Sequence, residues 1–176
     1  SYGVVIAAGH SNATYAEAVA GFDKGIKAVT HLFNAMSPLQ HRAPGLAGAA
    51  MDDQRVMASI IPDGYHVDFA AIRIAKAAMG EWLFVITDAV TDTETGPYPH
   101  QFKADRYESG GILSGSALNM LQAVRLLITK AGIEPGEAIR MGSLYPARVM
   151  GLAAQMGKIA PGYHASMLII DRNYSL

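Results

Sequence analysis

Short apolar runs alternate with amphipathic segments along the first 90 residues of the chain. Such alternation is typical of successive strand–helix units that share one parallel sheet. The runs predict four strands, at 2–10, 28–33, 56–64 and 82–90. Their ends recur at intervals of about 20 to 30 residues, close to the repeat of an eight-unit barrel. We therefore predict an α/β fold that contains the C-terminal half of a (β/α)8 barrel.

Two helices are predicted between these strands by their capping residues. Thr14 and Glu17 have the spacing of a capping box, and Asp68 is placed to cap a second helix that ends at Gly80. Apolar residues at helical spacing follow both caps: Tyr15, Val19, Phe22 and Ile26 after the first, and Phe69, Ile72, Ala75 and Met79 after the second. The segment 34–54 predicts a long loop with a little helix.

The pattern changes after Ala89, where turn residues and short alternating stretches replace helical periodicity up to about residue 116. A helix is predicted at 116–131, followed by two short helices that are broken at the Tyr145–Pro146 step. The tail predicts a turn and then a strand at 167–171. We divide the chain into a partial barrel, 1–160, and the start of a small β subdomain, 161–176.

The chain has fewer charged residues than a soluble domain of its size needs for its surface. Hydrophobic residues make up 51% of the chain and charged residues 16%, whereas about 25% charged residues are usual. No apolar run approaches the roughly 18 residues of a membrane span, and no signal peptide opens the chain. The sequence begins at Ser1 without an initiator methionine. We therefore expect a fragment, part of whose apolar surface faces protein outside these 176 residues.

Charge and cysteine content limit the partners of the chain. The net charge is −1 and there is no basic block, so we expect no nucleic-acid partner and no membrane. The chain has no cysteine, which excludes disulfides and thiolate metal sites. Any metal ligand must therefore be His, Asp or Glu.

Three titratable residues stand at the carboxyl ends of predicted strands: His10, His31 and Asp88. In barrel enzymes this edge holds the chemistry. Two neutral imidazoles and a carboxylate suit Zn²⁺ or Fe²⁺, and a carboxylate beside the metal is a natural general base. Each residue also has a structural interpretation, as a hydrogen-bonded core histidine or a helix cap. The coincidence of three favours a metal hydrolase.

Loops on the same face supply further candidates. Asn34 and Arg42 lie in one loop, and Arg42 is either an anion-binding fork or a solvated charge. His66 follows the third strand and is either a substrate contact or a packing residue. The "LSGS" segment, 113–116, precedes the predicted helix and offers backbone N–H groups to an anion or serves as a cap.

Six motifs in this order carry a family resemblance: "GHSNATY", "THLFNAMSPLQHRAPG", "DGYHVD", "VITDAV", "LSGSALNM" and "YPARVMGL". Over nearly the whole chain they resemble the N-acetylglucosamine-6-phosphate deacetylase family of the amidohydrolase superfamily. The resemblance implies a distorted TIM barrel, of which this chain holds strands 5 to 8, and a small β-sandwich built partly from the tail. It also implies a cytoplasmic homodimer that removes acetate from an amino-sugar phosphate.

The resemblance assigns roles residue by residue. His10 and His31 match the metal ligands of the family, for one or two divalent ions of zinc or iron, and Asp88 matches its catalytic aspartate. Arg42 matches the residue that reaches the sugar phosphate in the neighbouring subunit. The positions that match substrate contacts are Asn34, Ala35, His66, Leu113, Ser114 and Gly115. Asp88 would take a proton from the attacking water and return it to the departing amine.

One departure from the family and several alternatives remain open. The family also uses an upstream glutamate as a metal ligand, and no position here matches it, so we expect negligible activity from these 176 residues alone. The motifs also suit N-acetylgalactosamine-6-phosphate or another amidohydrolase substrate, such as a cyclic imide. Outside enzymes, the chain is alternatively a non-catalytic sugar-phosphate-binding module or an inert fragment.

Overall fold

The structure, a computed structural model, describes residues 3–96 and 99–174. In these residues the regular elements, in chain order, are β1 (Ala7–Ala8), α1 (Tyr15–Asp23), β2 (Ala28–Val29), α2 (Gly45–Asp52), β3 (Met57–Ile60), α3 (Phe69–Met79), a 3₁₀ turn (Gly80–Trp82), β4 (Leu83–Val85), β5 (Gln101–Lys103), β6 (Arg106–Ser109), β7 (Ile112–Ser116), α4 (Met120–Thr129), α5 (Pro135–Gly142) and α6 (Leu144–Val149).

The four predicted strands form one parallel sheet in the order β1-β2-β3-β4. Each observed strand is shorter than the apolar run that predicted it. Residues 3–6 lie outside the sheet, and the side chains of Val4 and Ile6 are 75% and 56% exposed. The α/β class is confirmed, and all four strands end at the same edge.

The two predicted helices between these strands are confirmed. Thr14 caps α1 with a complete capping box, in which its hydroxyl accepts from the Glu17 N–H and the Glu17 carboxylate accepts from the Thr14 N–H. Asp68 caps α3 by accepting from the Ala70 N–H at 2.7 Å. The helices bury Phe22 and Ile72 against the sheet, as their spacing requires.

The loop predicted at 34–54 ends in the helix α2, which is made almost entirely of small, buried residues. Its first residue, Gly45, has a φ of +62°, and a Cβ there would lie 2.7 Å from the Ser37 carbonyl oxygen. Only glycine tolerates both the left-handed conformation and this close approach. Gly45 therefore allows the helix to pack directly beside the loop that follows β2.

A second sheet, antiparallel and ordered β5-β6-β7, occupies the segment of turn residues. The predicted start of a helix at residue 116 is wrong, because Ser116 ends β7 and α4 begins only at Met120, after Asn119 as its cap. The Ser116 N–H donates to the Asp88 carbonyl at 3.0 Å, and its carbonyl accepts from the Val90 N–H at 3.2 Å. These bonds hold Ser116 in an extended conformation.

The break between the last two helices lies earlier than predicted, at Ser143 rather than at the Tyr145–Pro146 step. Pro146 lies in the first turn of α6, where backbone N–H groups have no intrahelical acceptor, so the helix loses no hydrogen bond to proline. Proline is therefore tolerated at this position and does not interrupt the helix.

The strand predicted at 167–171 is not formed, since its backbone has no ladder partner in the described part of the chain. The side chain of Ile169 is 92% exposed. An apolar groove of about 480 Å³ also lies open beside the sheet, between Val5, Phe84 and Met150. No helix among residues 3–96 and 99–174 has the length and apolar character needed to cross a membrane.

Glu137 connects three helices through its carboxylate. It pairs with Lys76 of α3, accepts from the Tyr145 hydroxyl of α6 at 2.9 Å and from the Arg140 Nε at 2.8 Å. Burial alone would raise the pKa of Glu137, but these donors outweigh burial and lower that pKa below its ordinary value of 4.5. The charged form is therefore the one that joins the helices.

We expect Glu137→Gln to lower the free energy of unfolding by about 1–3 kcal/mol, because Lys76 loses its partner in a largely buried position. Urea denaturation at pH 7 measures this difference, with the exposed Glu94→Gln as a control that changes little. Since the pKa of Glu137 is lowered, its stabilisation is present above pH 4.5 and disappears as the pH falls through the folded value. A difference that grows below pH 4.5 would contradict this account.

Candidate active site

Two histidine rings meet at the carboxyl edge of the parallel sheet. His10 follows β1 and His31 follows β2, and their ring centroids are 4.7 Å apart with planes inclined at 74°. His31 is only 6% exposed, and its Nδ1 atom is buried without a hydrogen-bond partner among residues 3–96 and 99–174. A buried imidazole nitrogen normally has a partner. The orphaned nitrogen beside a second imidazole fits a divalent cation of the zinc or ferrous type.

The neighbouring strands position both histidines. The His31 backbone N–H donates to the hydroxyl of Ser59 at 2.8 Å, and the Ser59 carbonyl accepts from the Leu32 N–H at 2.7 Å. Ser59 is buried in β3. On the other side, a Cβ at Gly9 would lie 2.2 Å from the Thr30 methyl group. Glycine thus lets β1 approach β2 closely just before His10.

Asp88 follows β4 at the same edge and is exposed. Its backbone is held by Ser116, whose N–H donates to the Asp88 carbonyl and whose hydroxyl donates to the Thr87 carbonyl. No group of three His, Asp or Glu side chains in the described ranges is close enough to hold a metal. The structure therefore brings His10 and His31 into contact, and in the described ranges these two residues and Asp88 do not together form a metal-holding group.

Left-handed backbone is concentrated at this edge. Five non-glycine residues here have positive φ: His10 (47°), His31 (33°), Phe33 (77°), Ala35 (47°) and Asp88 (49°). Such conformations are costly for residues with a Cβ and persist where the surrounding structure enforces them, which occurs most often at functional sites. The strained residues include all three of the predicted catalytic and metal-binding residues.

The loop after His31 is tied to the loop after His10. The Ala35 carbonyl accepts from the Ser11 N–H at 3.1 Å, and the Asn34 side chain donates to the Leu32 carbonyl at 3.3 Å. Asn34 and Ala35 therefore lie beside the two histidines. Arg42 is at the tip of a tight turn between Gln40 and Ala43 and is exposed.

His66 lies in the loop after β3 and is held by a residue that the sequence analysis missed. Its Nδ1 is 2.6 Å from Oδ2 of Asp63, and both side chains are less than 10% exposed. Burial alone would raise the pKa of Asp63, but hydrogen bonds from His66 and the Tyr65 N–H outweigh it and lower that pKa. The Asp-x-x-His spacing in "DGYH" was the available signal.

The segment 113–115 lies in β7 and pairs with β6 instead of opening a helix. Leu113 is opposite Glu108, and the Ser114 hydroxyl is 2.9 Å from Nδ1 of His100. A Cβ at Gly115 would lie 2.7 Å from a methyl group of Val90, so the strand approaches the chain after Asp88 closely. These residues border the Asp88 loop rather than the histidine pair.

Comparison with known proteins gives the family. The sequence profile described as "Amidohydrolase family" matches residues 2–175. This chain belongs to the amidohydrolase family. The paired histidines at the carboxyl edge of a parallel sheet are therefore part of an amidohydrolase scaffold.

Individual amidohydrolases resemble the chain closely. N-acetylglucosamine-6-phosphate deacetylase of Haemophilus influenzae is 34% identical over 99% of this chain and 48% of its own length. N-acetylgalactosamine-6-phosphate deacetylase of Escherichia coli is 36% identical over 93% of this chain and 45% of its own length. The chain spans about half the length of these relatives.

A solved structure extends the similarity to three dimensions. An aspartate-to-alanine variant of N-acetyl-D-glucosamine-6-phosphate deacetylase from Mycobacterium smegmatis, in complex with N-acetyl-D-glucosamine-6-phosphate, superimposes with a TM-score of 0.91. The two chains are 34% identical, and the match covers 98% of this chain and 48% of the other. The fold of this chain is therefore that of the corresponding part of the deacetylase.

We expect Ser59→Ala to lower the free energy of unfolding by about 1–3 kcal/mol, because the buried His31 N–H loses its acceptor. Urea denaturation measures the loss. Ser109→Ala, which removes a half-buried strand hydroxyl without a hydrogen bond among the described residues, is the matched control. Equal effects of the two substitutions would show that the Ser59 hydroxyl does not support the His31 backbone.

Proposed function

We propose that the natural polypeptide in which this chain occurs hydrolyses the acetamide of N-acetylglucosamine 6-phosphate, releasing acetate and glucosamine 6-phosphate. The observation that carries the proposal is the contact between His10 and His31, in which the buried Nδ1 of His31 has no partner in the described part of the chain. Similarity to N-acetylglucosamine-6-phosphate deacetylase of Haemophilus influenzae over 99% of this chain supports the choice of substrate.

His10 and His31 would hold one or two divalent ions of zinc or iron at the carboxyl edge of the sheet. Such an ion supplies polarisation of the amide carbonyl and activation of water for attack. Two histidines make an incomplete ligand set, and no group of three His, Asp or Glu side chains among the described residues could hold a metal ion. We therefore expect tight metal binding only when an additional ligand outside these 176 residues is present.

Asp88 would act as the general base and then as the general acid. It follows β4 at the same edge of the sheet as the histidines, and its side chain is exposed to water and substrate. Asp88 takes a proton from the attacking water and returns it to the departing amine, so one group serves both proton transfers.

The remaining residues would bind the sugar phosphate. Asn34 and Ala35 lie beside the metal-binding histidines, and His66 contacts the sugar or its acetamide. Leu113, Ser114 and Gly115 border the Asp88 loop, and Arg42 extends to the phosphate bound in a neighbouring subunit. The resemblance further supports a cytoplasmic homodimer, a barrel whose strands 5 to 8 are β1 to β4, and a tail from residue 161 that joins a β-sandwich.

A second candidate substrate is the epimer N-acetylgalactosamine 6-phosphate. The 36% identity to a deacetylase of that name is as high as the identity to the glucosamine enzymes. The two sugars differ at one hydroxyl group, and both carry the amide and the phosphate on which the proposed residues act.

We expect the natural polypeptide, loaded with zinc, to release acetate from N-acetylglucosamine 6-phosphate. Asp88→Asn should lower kcat at least 100-fold while the protein stays folded and binds zinc, because asparagine cannot accept the water proton. An enzymatic acetate assay measures turnover, with the galactosamine epimer and the unphosphorylated sugar in parallel. The 176-residue chain alone should show negligible turnover.

Each alternative has its own result in this assay. Faster turnover of the epimer would assign the second candidate substrate. Retained sugar-phosphate affinity with no acetate release from either epimer, in a folded and zinc-loaded protein, would instead identify a binding module.

We expect Arg42→Ala to raise KM for the phosphorylated sugar about tenfold or more and to leave the poor turnover of the unphosphorylated sugar unchanged, because only the former has an anion to bind. Steady-state kinetics with both sugars measure the contrast. Arg73→Ala, which removes an exposed arginine from α3, is the control. Equal losses with both sugars would contradict phosphate recognition by Arg42.

A further inference from the structure

The loop after β3 uses the two carboxylate oxygens of Asp63 for different purposes. Oδ1 accepts from two backbone groups, the Tyr65 N–H at 2.9 Å and the His66 N–H at 2.8 Å. Oδ2 lies 2.6 Å from Nδ1 of the His66 ring and has no other hydrogen bond within the described ranges. One oxygen thus shapes the turn, while the other contacts the imidazole.

This contact determines which ring nitrogen carries the proton. The pKa of Asp63 is lowered despite burial, so its carboxylate is ionised near neutral pH and only accepts hydrogen bonds. The Nδ1 atom of His66 must therefore be the N–H donor. In the neutral ring Nε2 then keeps its lone pair and faces away from Asp63.

Burial and the contacts of Tyr65 hold the His66 ring against Asp63. The side chains of His66 and Asp63 are 8% and 5% exposed. The Tyr65 hydroxyl donates to Asp105 at 2.5 Å, and the guanidinium of Arg106 lies 4.7 Å from the centre of the Tyr65 ring. Asp105 and Arg106 therefore hold the loop in place through their contacts with Tyr65.

We propose that Asp63 is a positioning residue that holds His66 in the Nδ1–H tautomer, so that Nε2 accepts a hydrogen bond from a hydroxyl of the substrate. The inference rests on the proposed deacetylase function, in which His66 contacts the sugar. The hydrogen bonds of Asp63 to the described residues go to the backbone of its own loop and to the imidazole, so Asp63 acts on the substrate through His66.

Asp63→Asn reverses the direction of the hydrogen bond between residue 63 and Nδ1 of His66, while the side chain keeps nearly the same shape. The amide oxygen takes the place of Oδ1 and still accepts from the Tyr65 and His66 N–H groups. The amide nitrogen takes the place of Oδ2 and donates to Nδ1 of His66. The neutral ring must then carry its proton on Nε2, which becomes a donor in place of an acceptor.

The tautomer is read directly by imidazole ¹⁵N chemical shifts in the natural polypeptide, with His66 assigned from the spectrum of His66→Gln. We expect the neutral ring to be protonated on Nδ1 in the wild type and on Nε2 in Asp63→Asn. This measurement does not depend on turnover, so it stands even if the deacetylase function fails. An Nε2–H tautomer in the wild type, or no change in the variant, would overturn the proposal.

The kinetic consequence is tested by a double-mutant cycle in the same polypeptide. Asp63→Asn should lower kcat/KM about 10- to 100-fold, the usual effect of losing such a supporting contact. In a His66→Gln background it should change kcat/KM less than about twofold, because the ring through which Asp63 acts is gone. Asp68→Asn, five residues away, keeps a good helix cap and serves as the matched control.

Two kinetic outcomes would contradict a positioning role. A tautomer that switches in Asp63→Asn without loss of kcat/KM would show that the reaction does not use the Nε2 lone pair. Equal losses from Asp63→Asn in the presence and absence of the His66 ring would show that Asp63 acts on the fold instead.

Discussion

The hydrogen bond from the His31 backbone N–H to the hydroxyl of Ser59 connects the candidate site to the parallel sheet. It holds the chain in a left-handed turn as soon as β2 ends, and that turn places the imidazole of His31 against His10. A buried hydroxyl in the adjacent strand is an effective anchor, because no water competes for it. The paired histidines therefore depend on the register of β2 against β3.

The same principle recurs around the site with different partners. Ser116 holds the backbone on both sides of Asp88 from a neighbouring strand, and Asp63 holds the loop that carries His66. In each case hydrogen bonds from a residue outside the predicted site hold the backbone at a predicted site residue. Left-handed residues at strand ends are strained, and these anchors supply the bonds that keep them in place.

Two errors in the sequence-based predictions occurred where a distant partner decides local structure. A helix was expected from Ser116, whose neighbours have helical spacing, but pairing with Asp88 and Val90 keeps that residue extended. Residues 167–171 have the apolar pattern of a strand and yet lack a ladder partner among the described residues. A strand requires such a partner, whereas a helix makes its own hydrogen bonds.

The sequence by itself determined the α/β alternation, the caps at Thr14 and Asp68, and the position of His10, His31 and Asp88 at strand ends. These features depend on residues that are close together in the sequence, so a local pattern is enough to predict them. Only the tertiary structure decided that the ring of His31 is buried against His10, with its Nδ1 lacking a partner among the described residues, and that Ser59 and Ser116 hold the backbones of His31 and Asp88 from other strands. Those properties arise from burial and from contacts between elements that are far apart in the sequence, so no local pattern predicts them.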